Sequence, residues 1–595
     1  MKHFKSREEV PDSEKWDLTD IFPNQDAWEE DYDLVLKMAD RLKEFDGNIH
    51  DGSSLYEYLK LGEELGYHYR KVYVYAMLGV DLDTRNSAAH SLLDRASQLG
   101  QKVSGATSFF MPFLLSLEEK TLMGYFQEVE GLDYFKEDLL ESFRYKQHVL
   151  SKEKEEVLSQ MGEALAAPKN IFGMINNADI RFGEVTGDDG EKVELTRGMY
   201  SKLIEDEDRE KRKEAYHAYY KPYVSSKNTI ASTLAAAVKN NVLLSKMRNY
   251  PSALEKALFG DNVPKEVYEN LIQSTKHNLD SMISYNKHRK EKLGLDELRA
   301  YDLSVPLVSG ARKEISFDDA YDIMLKALEP LGEEYVQTLA GFREKRYLDV
   351  RETPGKRSGA YNLGLYGVHP FVLLNHHDDL DSLFTLAHEC GHAMHSYYSS
   401  NYQPQISAGY SIFVAEVAST VNEILLIRYL LKHEEDDQMK KHLLNHFIDG
   451  FKGTFFTQVM FSEFEKVIHE KCESGEPLNA DVFNEVYESI YREYQGDDVV
   501  FDEEIKYGWS RIPHFYRPFY VYKYATGYAS AIDIADRLLS GDEDSLKNYL
   551  QFLKSGSSDY PLELLKGAGV DLTKPDPIDN ALSIFKELVE ELAAL

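Results

Sequence analysis

Cysteine is nearly absent from the chain: 595 residues include only Cys390 and Cys472. Two thiols cannot build a disulfide framework, and such sparing use fits a reducing compartment. Long apolar runs are missing as well. No uninterrupted apolar stretch reaches the roughly 18 residues that a membrane-spanning helix needs, and the opening MKHFKSREEVPDSEKWDLTDIF has no apolar core of signal-peptide length. Together these absences predict a cytoplasmic protein with no membrane partner.

Positive charge is the next shortage, with 68 basic residues against 102 acidic ones and a net charge of −34. A chain so acidic opposes phosphate backbones and anionic lipid, so nucleic acid is excluded as an expected partner. Proline breaks are few between residues 25 and 180, where segments such as SSLYEYLKLGEELGYHYRKVYVYAML carry helical apolar spacing and predict helical hairpins. No Pro/Ser-rich linker, low-complexity tract or repeat interrupts the chain. Strand signals are confined to short places. Alternation around Asp188-Asp189-Gly190 in RFGEVTGDDGEKVELTRGMY predicts one small hairpin, and Tyr301 to Val308 and Gly359 to Asn375 are the other strand candidates.

Against this helical background stands LAHECGHAMHSYY, in which His388-Glu389-Cys390-Gly391-His392 is an HExxH arrangement. Residues 388 and 392 are one helical turn apart, so both imidazoles leave one face and can hold a single metal ion, with Glu389 beside them as proton acceptor. The acids Asp378, Asp379 and Asp381 precede the run and suit a helix N-terminus. Cys390, two positions from each histidine, points off that face and reads as a small packing residue.

A catalytic zinc site needs a third protein ligand and keeps its fourth position for water. From Cys390 to Ala415 there is no Asp or Glu and one further histidine, His395; the next acid is Glu416, in SIFVAEVASTVNEILLIRYLL. A thermolysin-like site would need a glutamate at Ile412, and a metzincin would need glycine at His395 and histidine at Tyr398, so both arrangements are excluded. His388, His392 and Glu416 are therefore the expected ligands of one Zn2+ per chain. Glu423 shares a helix face with Glu416, and Glu423 and His395 are expected around the ligands, as orienting or packing groups.

Five blocks carry a wider resemblance: KRSGAYN (Lys356 to Asn362), HPFVLLN (His369 to Asn375), the HExxH helix, FVAEVAST (Phe413 to Thr420) and HFYRPFYVYKYATG (His514 to Gly527). In order and over about 170 residues, this pattern resembles oligoendopeptidase F, of the thimet oligopeptidase and neurolysin family of zinc metallopeptidases. The resemblance implies a mainly α fold of two helical lobes enclosing a deep substrate channel, with a small β-sheet beside the zinc-site helix. It implies a helical N-terminal lobe over 1–200 and a catalytic domain over 201–595, the latter carrying the HExxH helix, the third-ligand helix and the His/Tyr loop. It further implies Glu389 as general base, His514 and Tyr524 as oxyanion donors, and Gly359 and Ala360 on an edge strand that pairs with substrate backbone. Tyr516, Tyr520 and Tyr522 compete with Tyr524 and are kept as substrate-binding candidates.

The expected activity is hydrolysis of internal bonds in short peptides. Two other readings compete with it. A zinc carboxypeptidase on a related helical scaffold would need a basic residue for the substrate C-terminus, and a catalytically silent peptide-binding protein would have no need of Glu389.

Overall fold

The computed structural model describes residues 4–187, 190–308 and 314–595. Near the N-terminus three helices, Gln25–Lys43, Gly52–Leu82 and Ser87–Thr107, pack on one another. Each begins at a side chain that satisfies free amides of the first turn: Asn24 accepts from Ala27, Asp51 and Ser54 form a reciprocal box, and Asn86 accepts from Ala88 and Ala89. Their apolar faces bury Trp28, Val35, Leu42, Leu55, Leu65, Leu78 and Leu99 in one core. Trp28 donates its indole N–H to Val72 O at 2.9 Å, so its polar edge is paired inside that core.

Phe371 and Leu373 belong to the same core and lie on the middle strand of a three-stranded sheet. Phe371–Leu373 runs parallel to Leu348–Asp349 and antiparallel to Tyr361–Leu363, with Asn362 opposite Val372. A buried lysine holds the sheet together. Lys356 Nζ donates to the carbonyls of Asp349, Arg351 and Leu374 at 3.1, 2.8 and 2.6 Å and pairs with Asp349 Oδ1 at 2.7 Å. Burial pulls this ammonium below its ordinary pKa, and the Asp349 carboxylate offsets part of that cost. Asp81 then anchors the edge strand by accepting from the Tyr361 hydroxyl at 2.6 Å and from Arg357 at 3.2 Å.

The chain divides into two compact units, each assembled from three segments. One comprises Met1–Gln147, Arg312–Leu426 and Arg537–Ala568; the other comprises His148–Ala311, Ile427–Asp536 and Gly569–Leu595. This division is discontinuous and differs from the boundary expected at residue 200. Both units are mainly helical, and among the described residues no helix is long and apolar enough to cross a membrane.

The expected hairpin forms, with Glu184–Thr186 antiparallel to Lys192–Glu194, although its turn residues Asp188 and Asp189 lie outside the described residues. Tyr301 to Val308 is not a strand. Ala300–Asp302 is a 3-10 turn, because buried Asp302 takes ion pairs from Arg209 and Arg212 at 2.8 Å each and Arg289 gathers the carbonyls of Asp302 and Val305. The β-branched pattern there reflects burial instead of ladder pairing. The edge strand also differs from expectation: it starts at Tyr361, and Gly359 (φ 85°) forms the preceding bend while Ala360 leads into the strand. Asn375 closes that bend by donating to Gly359 O at 2.7 Å and Arg357 O at 3.0 Å.

Candidate active site

The HExxH motif lies mid-way along a helix, Leu380–Tyr402, whose first turn is capped by Asp379 accepting from Ser382 N at 2.9 Å. One turn separates His388 from His392, and their rings meet nearly edge to face with centroids 4.8 Å apart. Glu416 projects from a second helix, Ile412–His433. Its Oε2 lies 3.5 Å from His388 Nε2 and 3.8 Å from His392 Nε2, and the three donor atoms fall within 4.8 Å of one another.

Gly391 explains how the two helices come so close. A Cβ built on it would stand 2.6 Å from Ser419 Cα and 2.7 Å from Ala418 O, so only the bare glycine lets the second backbone pass. Asn422 ties the pair from the far side, donating to Ala387 O at 3.2 Å while accepting from the Tyr335 hydroxyl at 3.1 Å. Cys390 is wholly buried, and burial pushes its thiol well above the ordinary range, as suits a packing residue.

The donor set fits a tetrahedral metal. Ligands at about 2.0–2.2 Å from zinc stand about 3.3 Å from each other, close to the separations between Glu416 and the two imidazoles. Glu423 fixes which nitrogen is free: its Oε1 lies 2.7 Å from His388 Nδ1, which leaves Nε2 directed toward Glu416 and His392. Burial opposes charge on His388, but the Glu423 contact and the nearby Glu389 and Glu416 carboxylates hold its pKa up to about 9. His392 has no carboxylate so placed among the described residues; burial and the charge on His388 push it down to about 3, against an opposing hydrogen bond with the Ala415 backbone. Burial raises Glu389 to about 7, with Glu416 adding to the rise and His388 and the Asn362 amide opposing it. Glu416 is raised too, first by burial.

His395, expected around the ligands as an orienting or packing group, is packed beside them. It is buried, stacks on Tyr410 with centroids 3.8 Å apart and planes 6° from parallel, and lies against Phe552. Sequence reasoning missed Tyr410, which lies within the acid-free gap and belongs to no motif. Its hydroxyl lies 2.9 Å from Ser396 Oγ, and Ser396 accepts from Asn362 Nδ2 at 3.0 Å, which couples the edge strand to the motif helix. Gly364 permits this approach, since a Cβ there would fall 2.7 Å from Ser396 Cβ.

His514 and the tyrosines belong to the other unit. His514 is exposed on a short 3-10 turn, Pro513–Tyr516, and Tyr524 lies in the first turn of the helix Tyr522–Leu539. Phe519, at φ 51°, reverses the chain between them. The result brings His514, Tyr520 and Tyr524 together: ring centroids are 6.4 Å apart for His514–Tyr524 and 5.4 Å for Tyr520–Tyr524, and Tyr524 donates to the Tyr520 hydroxyl at 3.4 Å. Tyr516 and Tyr522, expected as substrate-binding candidates, do not join this group and are held in packing. Tyr516 stacks on Phe172 at 4.4 Å and pairs its hydroxyl with Thr233 at 2.6 Å, and Tyr522 is wholly buried against Tyr268.

A helical chain with a buried glutamate beside a His-His-Glu cluster able to hold a metal has the outline of a metal-dependent hydrolase, and comparison with known proteins narrows it. The family description "Peptidase family M3" matches residues 202–584 and "Oligopeptidase F" matches residues 114–182. The chain is 42% identical over 590 residues to the oligopeptidase PepF of Bacillus subtilis, covering 99% of this chain and 88% of that one. It is 39% identical to the group B oligopeptidase PepB of Streptococcus agalactiae, covering 99% and 98%. The crystal structure of oligoendopeptidase-F from Enterococcus faecium superposes with a TM-score of 0.74 at 35% identity, covering 96% of this chain and 98% of that one. The chain belongs to peptidase family M3, and it is a metalloendopeptidase.

Proposed function

We propose that this enzyme is a zinc-dependent oligoendopeptidase that hydrolyses internal bonds of short peptides. The observation that carries the reading is the convergence of His388 Nε2, His392 Nε2 and Glu416 Oε2, with Glu389 next in sequence to one ligand and Glu423 on the back of the same imidazole. When bound, zinc supplies a Lewis acid and an acidified water. Glu389, buried beside the ligands, would take a proton from the attacking water and return it to the leaving amine. Glu423 holds His388 in the tautomer that presents Nε2.

The edge strand Tyr361–Leu363 has one side paired to Phe371–Leu373 and offers the other to an extended peptide, which gives binding through backbone groups with little dependence on side chains. His514 and Tyr524 donate to the oxyanion, with Tyr520 as the hydroxyl that orients Tyr524. The short-peptide preference rests on the oligopeptidase relatives named above.

The test is cleavage of an internally quenched peptide blocked at both ends. Turnover that disappears with chelator, returns with zinc, and falls about 100- to 10,000-fold in Glu389→Gln is expected. Cleavage only after a terminus is unblocked, or full activity in Glu389→Gln with zinc retained, sinks the reading.

A further inference from the structure

The second unit encloses a cavity of about 370 Å³ that none of the proposed peptidase chemistry uses. Arg511 and the phenols of Tyr200, Tyr220, Tyr487 and Tyr491 line it together. Arg511 closes an unusually long 3-10 helix, Glu503–Arg511, in which residues three apart share a face. Gly508 is on that face, and a Cβ there would meet the Tyr487 ring at 2.5 Å, so the phenol is seated directly over the glycine and beside the guanidinium.

Among the described residues Arg511 has no carboxylate within ion-pair distance; its Nε donates to the Tyr220 hydroxyl at 3.1 Å. The hydroxyls of Tyr200, Tyr487 and Tyr491 make no hydrogen bond among the described residues, although Tyr487 is only 2% exposed and Tyr491 9%. Arg511 is half-buried, and its guanidinium lines the cavity without a carboxylate partner among the described residues, beside phenols whose hydroxyls are free to donate. Lys452, on the π-turn Lys452–Phe456, also lines the cavity. The two acids on the walls do not neutralise Arg511: Asp449 is engaged by Lys452 at 3.1 Å and Asn445 at 2.7 Å, and Glu205 has an interaction of its own.

We propose that this cavity binds a small oxoanion, a phosphate or a carboxylate, on the guanidinium fork of Arg511 with Tyr487 and Tyr491 as hydroxyl donors. The planar fork matches two oxygens of such an anion, and phenols donate to the rest. A spherical halide would use the charge but leave the fork unmatched. The Arg511 guanidinium is charged at any working pH, so the cavity keeps its cation.

The experiment is isothermal titration of the zinc-loaded full chain with inorganic phosphate, and separately with acetate, at constant ionic strength in chloride. Saturable one-to-one binding of at least one of them is expected, with phosphate and acetate separating the two oxoanion classes. Arg511→Met is expected to abolish it. Because that variant can disturb folding, Tyr487→Phe combined with Tyr491→Phe keeps both rings and removes only the donors, and is expected to weaken binding about tenfold or more. No saturable binding in the unmodified enzyme overturns the proposal, and so does binding that the double variant leaves unchanged, since that anion is held elsewhere.

Discussion

The segment 388–423 and the segment 514–524 both carry chemistry-bearing side chains, but the chain positions them by opposite means. In the first, two regular helices set every ligand, so the sequence interval between His388 and His392 is also their spatial interval, and Gly391 sets how near the second helix comes. In the second, a 3-10 turn, a left-handed Phe519 and the first turn of a helix follow one another within a dozen residues, and the grouping of His514 with Tyr520 and Tyr524 depends on backbone torsions no periodicity encodes. Geometry carried by helical hydrogen bonds tolerates change in side chains outside the contact. Geometry carried by a turn depends on the groups that hold the turn.

The largest effect expected from this contrast is on turnover. His514→Ala and Tyr524→Phe should each lower kcat about 100- to 1,000-fold while zinc content stays at one per chain, because an oxyanion donor acts only in the transition state. Tyr516→Phe and Tyr522→Phe should leave kcat near that of the unmodified enzyme, since both rings are held in packing. A kcat loss in Tyr522→Phe equal to that in Tyr524→Phe would erase the distinction drawn between them.

In the helical segment the corresponding changes should register in metal affinity first. Glu423→Gln is expected to weaken zinc about 10- to 100-fold, measured by competition with a chromophoric chelator, because it loosens the tautomer of His388. Gly391→Ala should also weaken zinc, by about tenfold, and should lower stability by roughly 1–3 kcal/mol, because the second helix must retreat from the new methyl group. If Gly391→Ala binds zinc as the unmodified enzyme does, the close helix approach is not what places Glu416.

Much of the first segment was legible in the sequence, and for a physical reason. Helical spacing is short-range, so HExxH and the acid-free gap ending at Glu416 identified a set of donors that the structure brings within 4.8 Å. Lys356 and Asp81 were not legible, because their roles come from a sheet whose strands are joined by irregular loops, and Asp81 comes from a distant helix. Tyr410 was invisible for the same reason. The i, i+4 interval of Tyr520, Tyr524 and Tyr528 is that of a stripe on one helix, yet Tyr520 precedes the helix and meets Tyr524 across the Phe519 turn, while Tyr528 packs against Phe451. Expectation of a strand at Tyr301 to Val308 failed where buried Arg–Asp pairing overrode β-branched composition.

The turn itself has an identifiable latch, which yields the last and most graded test. Glu465 Oε1 accepts from the Phe519 amide at 2.9 Å, and its other oxygen is buried without a hydrogen-bond partner among the described residues. Burial raises this carboxyl to about 8, with the Phe519 amide opposing the rise. An acid whose folded pKa lies above its unfolded value binds more protons when folded, so the stability it contributes is full below about pH 4.5 and is lost as pH rises to about 8. Across that window the contribution should fall by roughly 1.4 kcal/mol per pH unit, about tenfold in the folding equilibrium. Urea unfolding of the two proteins at pH 5.5 and at pH 7.5 isolates this term, because Glu465→Gln lacks the titration while other groups are unchanged. The variant is expected to lose less stability than the unmodified enzyme between the two conditions, and equal losses would mean that Glu465 is already ionised in the fold. A latch that titrates in this way makes the His514–Tyr524 turn sensitive to pH through its support, whereas the Gly391 contact itself is made with the backbone of Ala418 and Ser419 and involves no ionisable side chain.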